Sequence, residues 1–327
     1  MRREIVIDDA ALNCRYELHL AGALCRLLTN SPAVGETLRA WQATDTYSLS
    51  PAFDMRVRVN HGASASVGRP HFRGMRHLVI ASFGEANIFV FDLLRRNVSA
   101  VISETVVSDS KFWDRILLPI VVGVLGPAVG VVPVHSACLQ IDGAGILIAG
   151  ASGAGKSTLS VALAQQGFHF VSDDWTYLTV ARGELVAHGM SSPAKLLPDA
   201  VNYFPGLTQF PLCLALNHEL AYELPAEKLG AEVKLSCEPR WFFFLERTAT
   251  EERCQLLPVS ADEAQLYVER SVERLPTELE LMIQARTAII SQLSRLSCWK
   301  LSYGGPPSVA VRGLQHFFTG LRQGVPA

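Results

Sequence analysis

The chain predicts an α/β fold built around a phosphate-binding loop and preceded by a smaller β-rich unit. Three observations carry that prediction. An apolar strand, Ile146-Leu147-Ile148-Ala149, runs directly into G-x-x-x-x-G-K-S at Gly150 to Ser157, and a helical segment follows at once. A second apolar run, Phe168 to Val171, comes after that helix and ends at the acidic pair Asp173-Asp174. Ahead of residue 112, short β-branched and aromatic runs alternate with turn residues, as strands of a separate unit do. The expected division is a β-rich N-terminal domain over 1–112 and the loop-bearing domain over 113–327.

Composition sets the bounds. With 327 residues, 49% of them hydrophobic, the chain is large enough for two domains and too apolar to be disordered. A formal net charge of -2 argues against nucleic acid as the main partner, because neutralising phosphates takes a basic face. The seven cysteines include no C-x-x-C pair and read as reduced, small apolar residues of a cytosolic protein. Met1-Arg2-Arg3-Glu4 leads into acidic residues instead of an apolar leader, so a cytoplasmic location is expected. Ile116 to Val134 carries no charge and is long enough to cross a bilayer. Pro119, Pro127, Pro133, Gly123, Gly126 and Gly130 interrupt it, and it runs straight into His135, so it reads as a buried helix and turn and not as a membrane span.

In chain order, Met55-Arg56-Val57-Arg58-Val59 alternates apolar and charged positions, the mark of a strand with one wet face. His77 to Ser82, Ala86 to Asp92 and Asn97 to Ile102 continue as a meander, and Gly62 to Pro70 is a small-residue loop. His61, His71 and His77 are too spread to form a metal site. Past the acidic pair, Trp175 to Val180 and Leu185 to Gly189 are strands joined by a turn at Gly183-Glu184. Ser191 to Leu216, with four prolines, reads as a loop-rich, substrate-facing insertion. Trp241-Phe242-Phe243-Phe244-Leu245 is a strand covered on both faces. Capping boxes at Ser260-x-x-Glu263 and Thr277-x-x-Glu280 open two helices, and a last helix follows Gly304-Gly305-Pro306-Pro307.

The chemistry concentrates at the loop. Its backbone N–H groups, over Gly150, Ala151, Ser152, Gly153, Ala154, Gly155, Lys156, Ser157 and Thr158, wrap a phosphate chain, and the helix beneath adds its positive dipole end. In this motif the lysine reaches phosphate oxygens and the serine hydroxyl ligates Mg²⁺, which implies a nucleotide such as ATP. The ends of parallel strands open on one sheet edge, so Asp173 and Asp174 are expected to face the phosphates. Two carboxylates there divide the labour, one toward Mg²⁺ and one accepting a proton from an attacking hydroxyl. His135, taken alone, is better explained by packing than by catalysis.

Taken together, His135 through Asp174 resembles the catalytic domain of the bacterial HPr kinase/phosphorylase family, which phosphorylates a protein serine. In that family a histidine, the loop lysine, the next serine and the second of two adjacent aspartates form the site. Here His135 lies 21 positions before Lys156 and Asp174 lies 17 after Ser157, spacings that match the family without a gap. The resemblance implies an HPr-kinase-like catalytic domain with a central mixed sheet. It makes Asp174 the proton acceptor, Lys156 a phosphate ligand, Ser157 a Mg²⁺ ligand and His135 a participant in transfer, which leaves Asp173 to the metal. It also implies a homo-oligomer. The E-I-R-G-L-G-like run of the family is missing: residues 184–206 read ELVAHGMSSPAKLLPDAVNYFPG. Phosphorolysis and HPr itself are therefore not carried over. The longer pattern is closer to diverged HPr-kinase-like proteins, some of which phosphorylate the C-terminal serine of lasso-peptide precursors.

Lys195, Lys234, Arg240 and Arg247 are candidates for neutralising charge on the transferred group, Lys195 first because it sits in the loop-rich insertion, and Glu184 is a candidate for the missing acid. Three functions fit the residues. The leading one is an ATP·Mg²⁺-dependent kinase of a serine in a peptide or protein. A kinase of a small metabolite such as free serine uses the same core, and a nucleotide-binding regulatory module would bind without transfer.

Overall fold

The structure is a computed structural model describing residues 11–42, 52–60, 62, 67–190, 193–214, 220–248 and 253–323. His61 and part of the Gly62–Pro70 loop lie outside the described residues, as do the first ten and the two ends of the Ser191–Leu216 insertion. The chain forms two compact units, Met1–Val132 with Arg274–Arg286, and Pro133–Glu273 with Thr287–Ala327.

The first unit is a seven-stranded sheet. Its strands are β1 (Cys14–Leu20), β2 (Ala23–Thr29), β3 (Phe53–Asn60), β4 (Pro70–Met75), β5 (Leu78–Phe83), β6 (Ile88–Asp92) and β7 (Asn97–Ser103), in the spatial order β1-β2-β3-β7-β6-β5-β4. The expected meander is β5 to β7, which β4, a strand the sequence did not single out, extends, all antiparallel, while β2, β3 and β7 pair in parallel. In β3 the alternation does what the sequence predicts: Met55, Val57 and Val59 are buried and Arg58 is in water. Against the buried face lies the apolar helical segment Ser110–Val129. Phe112 meets Phe83 edge-on at 5.3 Å and the Trp113 indole N–H donates to Val106 O at 3.0 Å. A π-turn over Trp113–Leu117 precedes Pro119, which lacks the N–H a regular ladder needs. By length and composition this segment could cross a membrane, yet Trp113, Leu117, Leu118, Val121 and Leu125 are fully buried against protein. That packing places it with the first unit, beyond the boundary expected at 112.

The second unit is a three-layer α/β arrangement on a mixed sheet of nine strands. These are β8 (Val132–Val134), β9 (Ser136–Ile141), β10 (Ala144–Gly150), β11 (His169–Ser172), β12 (Thr176–Ala181), β13 (Glu184–His188), and, after a separate three-stranded sheet, β17 (Ser236–Arg247), β18 (Cys254–Pro258) and β19 (Ser297–Tyr303). The small sheet comprises β14 (Ala194–Leu196), β15 (Leu212–Leu214) and β16 (Leu220–Leu224), in the order β14-β16-β15. Strands β14 and β15 lie in the Ser191–Leu216 stretch that reads as loop in sequence, because at three residues each they are too short to show a period. Strand β17 is central, parallel to β10 on one side and to β19 on the other, which is why Phe242 to Leu245 are apolar without alternation. On one face the helices Lys156–Ala164 and Pro307–Arg322 set Leu159, Leu163, Leu314 and Phe318 against Ile146, Ile148, Phe243 and Leu301. On the other, Tyr267 of the helix Ala261–Ser271 stacks on Phe244 at 4.6 Å.

The capping box at Ser260 forms as expected, with the Glu263 N–H donating to Ser260 Oγ. The one at Thr277 does not: the helix starts at Glu280, not directly after Thr277. The Thr277 hydroxyl is drawn instead onto β4, so close over Gly74 that a β-carbon there would meet it at 2.5 Å. None of the seven cysteines is in a disulfide.

Candidate active site

The sheet topology gathers the site. Strand β9 runs antiparallel to both β10 and β11, and β10, β17 and β19 are mutually parallel, so β10, β11, β17 and β19 all end on one edge. That edge receives the phosphate loop from β10, Asp173 and Asp174 from β11, Arg247 from β17 and Tyr303 from β19. Because β9 runs the other way, its beginning is at the same edge, and His135 immediately precedes it. These groups, apart from Asp173, line a cavity of about 410 Å³ together with Trp175, Lys195, Asp199 and Tyr203.

The loop geometry needs its glycines in two ways. Gly150 lies against β17 so closely that a β-carbon would meet Leu245 O at 2.8 Å. Gly153 and Gly155 have φ of +77° and +90°, a region that side chains strain to enter, and Gly155 caps the helix that begins with Lys156. Lys156 is buried, and its ammonium donates to Gly150 O at 3.0 Å and to Ala151 O at 3.4 Å. Burial lowers its pKa, and the nearby Asp174 and Asp173 partly offset this.

The two aspartates occupy different environments. Asp173 is buried; its Oδ2 accepts from the Lys195 backbone N–H at 3.1 Å and its Oδ1 has no hydrogen-bond partner. Burial first, and the Asp174 charge second, push its carboxyl up to about 6. Asp174 stands in the left-handed region, with φ of +70°, and its Oδ1 is 3.0 Å from His135 Nε2. Burial opposes its ionisation, but the hydrogen bond and charge of His135, followed by Lys195 and Lys156, outweigh it and hold the carboxyl below its ordinary value. The His135 ring packs on Trp175, with centroids 5.3 Å apart.

A buried hydroxyl network joins the two chain segments that carry this pair. Thr176 Oγ1 donates to Ser136 O at 2.8 Å and lies 2.7 Å from Ser172 Oγ, while Ser136 Oγ donates to Thr176 Oγ1 at 3.2 Å. The His135 N–H is anchored separately, to Ser271 O at 2.7 Å. Sequence reasoning missed this network, since nothing in an isolated Ser or Thr shows that it will be buried and paired.

Of the four basic candidates, Lys195 and Arg247 reach the cavity. Lys234 is engaged with Glu232, and Arg240 is exposed seven residues back along β17, about 23 Å from the edge at 3.3 Å per residue. Glu184 is exposed at the β12–β13 turn and does not line the cavity; Asp199, which the sequence did not single out, does. Among the described residues no cluster of three or more His, Cys, Asp or Glu side chains is placed to hold a metal ion.

Residues 130–197 match the family model described as HPr Serine kinase C-terminal domain. No curated protein matches the chain. Among solved structures, the Hpr(Ser) kinase/phosphatase from Coxiella burnetii aligns over 59% of this chain and 95% of that one, at 16% identity and a TM-score of 0.29, a likeness too loose to carry any argument. Over the segment that supplies His135, the phosphate loop, both aspartates and Lys195, the chain is HPr-kinase-like.

Proposed function

We propose that this protein is an ATP·Mg²⁺-dependent kinase that transfers the γ-phosphoryl group to a hydroxyl, the serine of a peptide or protein, in the cytoplasm. The observation that carries the reading is the His135–Asp174 pair at the same sheet edge as Lys156 and Ser157. The residues fit the group. At Gly153 the turn is open, with nothing within 4 Å of where a β-carbon would lie, and Asp173 Oδ1, buried without a hydrogen-bond partner, is the unsatisfied hard oxygen a divalent cation takes. Ser157 and Asp173 would hold Mg²⁺, which usually takes one or two protein ligands beside substrate phosphates, and loop amides with Lys156 would hold the phosphates. When bound, ATP·Mg²⁺ supplies the phosphoryl group and neutralises the charge that develops on it.

This chain's own residues do the remainder. Asp174, held ionised at neutral pH by His135, accepts the proton of the acceptor hydroxyl and orients its oxygen for attack. His135 occupies one carboxylate oxygen, leaving the other for the acceptor. Lys195 adds positive charge beside both aspartates. Purified protein incubated with γ-labelled ATP and a panel of free serine and serine-containing peptides tests the reading. Label transfer to a peptide is expected. Asp174→Asn should leave ATP affinity within about twofold and cut turnover by about 10²–10⁴, the usual contribution of a positioned base. Transfer by this variant at the wild-type rate refutes the assignment, and transfer to free serine alone refutes the peptide acceptor.

A further inference from the structure

The far end of the cavity has a feature that phosphoryl transfer itself does not use. At the sheet edge the order β11-β9-β10-β17-β19 sets Asp174 two strands to one side of the phosphate loop and Tyr303 two strands to the other. With neighbouring strands about 4.8 Å apart, these ends stand about 19 Å from each other. In-line transfer puts the attacking and leaving oxygens on opposite sides of phosphorus. With the acceptor hydroxyl at Asp174, the remainder of the nucleotide must extend across the loop toward β17 and β19.

Among the described residues that line the cavity, Arg247 is the planar cation at that end. Tyr303 is itself buried, and the Arg247 guanidinium lies over its ring, 4.3 Å from the centroid. Arg247 Nη2 also donates to Gly305 O at 2.9 Å, in the turn leading to the C-terminal helix. The ring beneath it and a hydrogen bond at its end hold the group in place, and Arg247 lines the cavity. Tyr203, 40% exposed, lines the same cavity. A delocalised, weakly hydrated cation held in this way is a surface on which an aromatic ring stacks.

Resting on the kinase reading above, we infer that Arg247, seated on Tyr303, is the shelf on which the nucleobase of the bound nucleotide stacks. Its role is then nucleoside recognition, not neutralisation of the transferred phosphoryl group. Calorimetric titration of the full chain with Mg²⁺ and either ATP or inorganic tripolyphosphate separates these roles, because tripolyphosphate has the phosphates and lacks the base. Arg247→Ala should weaken ATP about tenfold and leave tripolyphosphate within about twofold, a stacking contribution of ordinary size. Arg247→Lys, which keeps the charge and loses the plane, should behave like the alanine variant, and it carries the test alone should the alanine variant fail to fold. Equal weakening of both probes overturns the inference by making Arg247 a phosphate ligand. Unchanged ATP affinity, or full rescue by lysine, overturns it as well. Wild-type protein that binds neither probe refutes the nucleotide site itself, and with it this shelf.

Discussion

Replacing Asp173 with asparagine turns the environment of one buried carboxylate into a measurable stability. Burial and the neighbouring Asp174 push the Asp173 carboxyl from its ordinary 3.8 up to about 6. The folded protein then holds this proton more tightly than the unfolded chain, so stability falls as pH rises from 3.8 to about 6. Below that window both states are protonated and the penalty is absent; above it both are ionised and the penalty is complete. At 1.36 kcal/mol per pH unit it reaches about 3 kcal/mol at neutral pH. Asparagine keeps an oxygen to accept the Lys195 N–H and removes the charge. In chelator-treated, metal-free buffer, urea midpoints at constant m-value should show the variant and the wild type nearly equal at about pH 4. The variant should be more stable by about 3 kcal/mol at about pH 7. A difference that stays flat across this range, or that shrinks as pH rises, refutes the reasoning.

Two further perturbations probe the site and the packing beside β11. His135→Asn removes the His135 hydrogen bond and charge, which with Lys195 and Lys156 outweigh burial at Asp174, so the Asp174 pKa should rise and the acid limb of kcat/KM should move to higher pH; an unmoved limb shows that His135 does not govern Asp174. Gly189→Ala would place a β-carbon 1.9 Å from Val171 O, in a segment also held by the Gly189 N–H donating to Leu235 O at 2.9 Å. Both neighbours are backbone, so a loss of about 3 kcal/mol or more is expected by urea denaturation. A loss below about 1 kcal/mol would show that the Gly189 segment moves freely away from β11.

Much of the site could be read locally because the phosphate loop is a local object. Val134 to Asp174 is one continuous segment in which strand, loop, helix and strand follow in order, and the glycine spacing records a backbone conformation that few other residues adopt. The strand β17 was legible for a related reason, since burial on both faces removes polar residues from its centre. Thr277 shows the limit of local signals. Its capping pattern is complete in sequence, but the hydroxyl is placed against Gly74, some two hundred residues away in the chain.

The sequence by itself determined the phosphate loop, the acidic pair and their spacing from His135, because each is set by contiguous residues whose backbone geometry is nearly independent of the rest. Only the tertiary structure decided which distant groups join them. Lys195 reaches Asp173 through the small sheet, Arg247 and Tyr303 arrive from β17 and β19, and Ser136, Ser172 and Thr176 tie the histidine to the aspartates. The physical reason is the sheet itself: parallel strands from remote parts of the chain end on one edge, and strand order, which no local pattern encodes, determines what meets there.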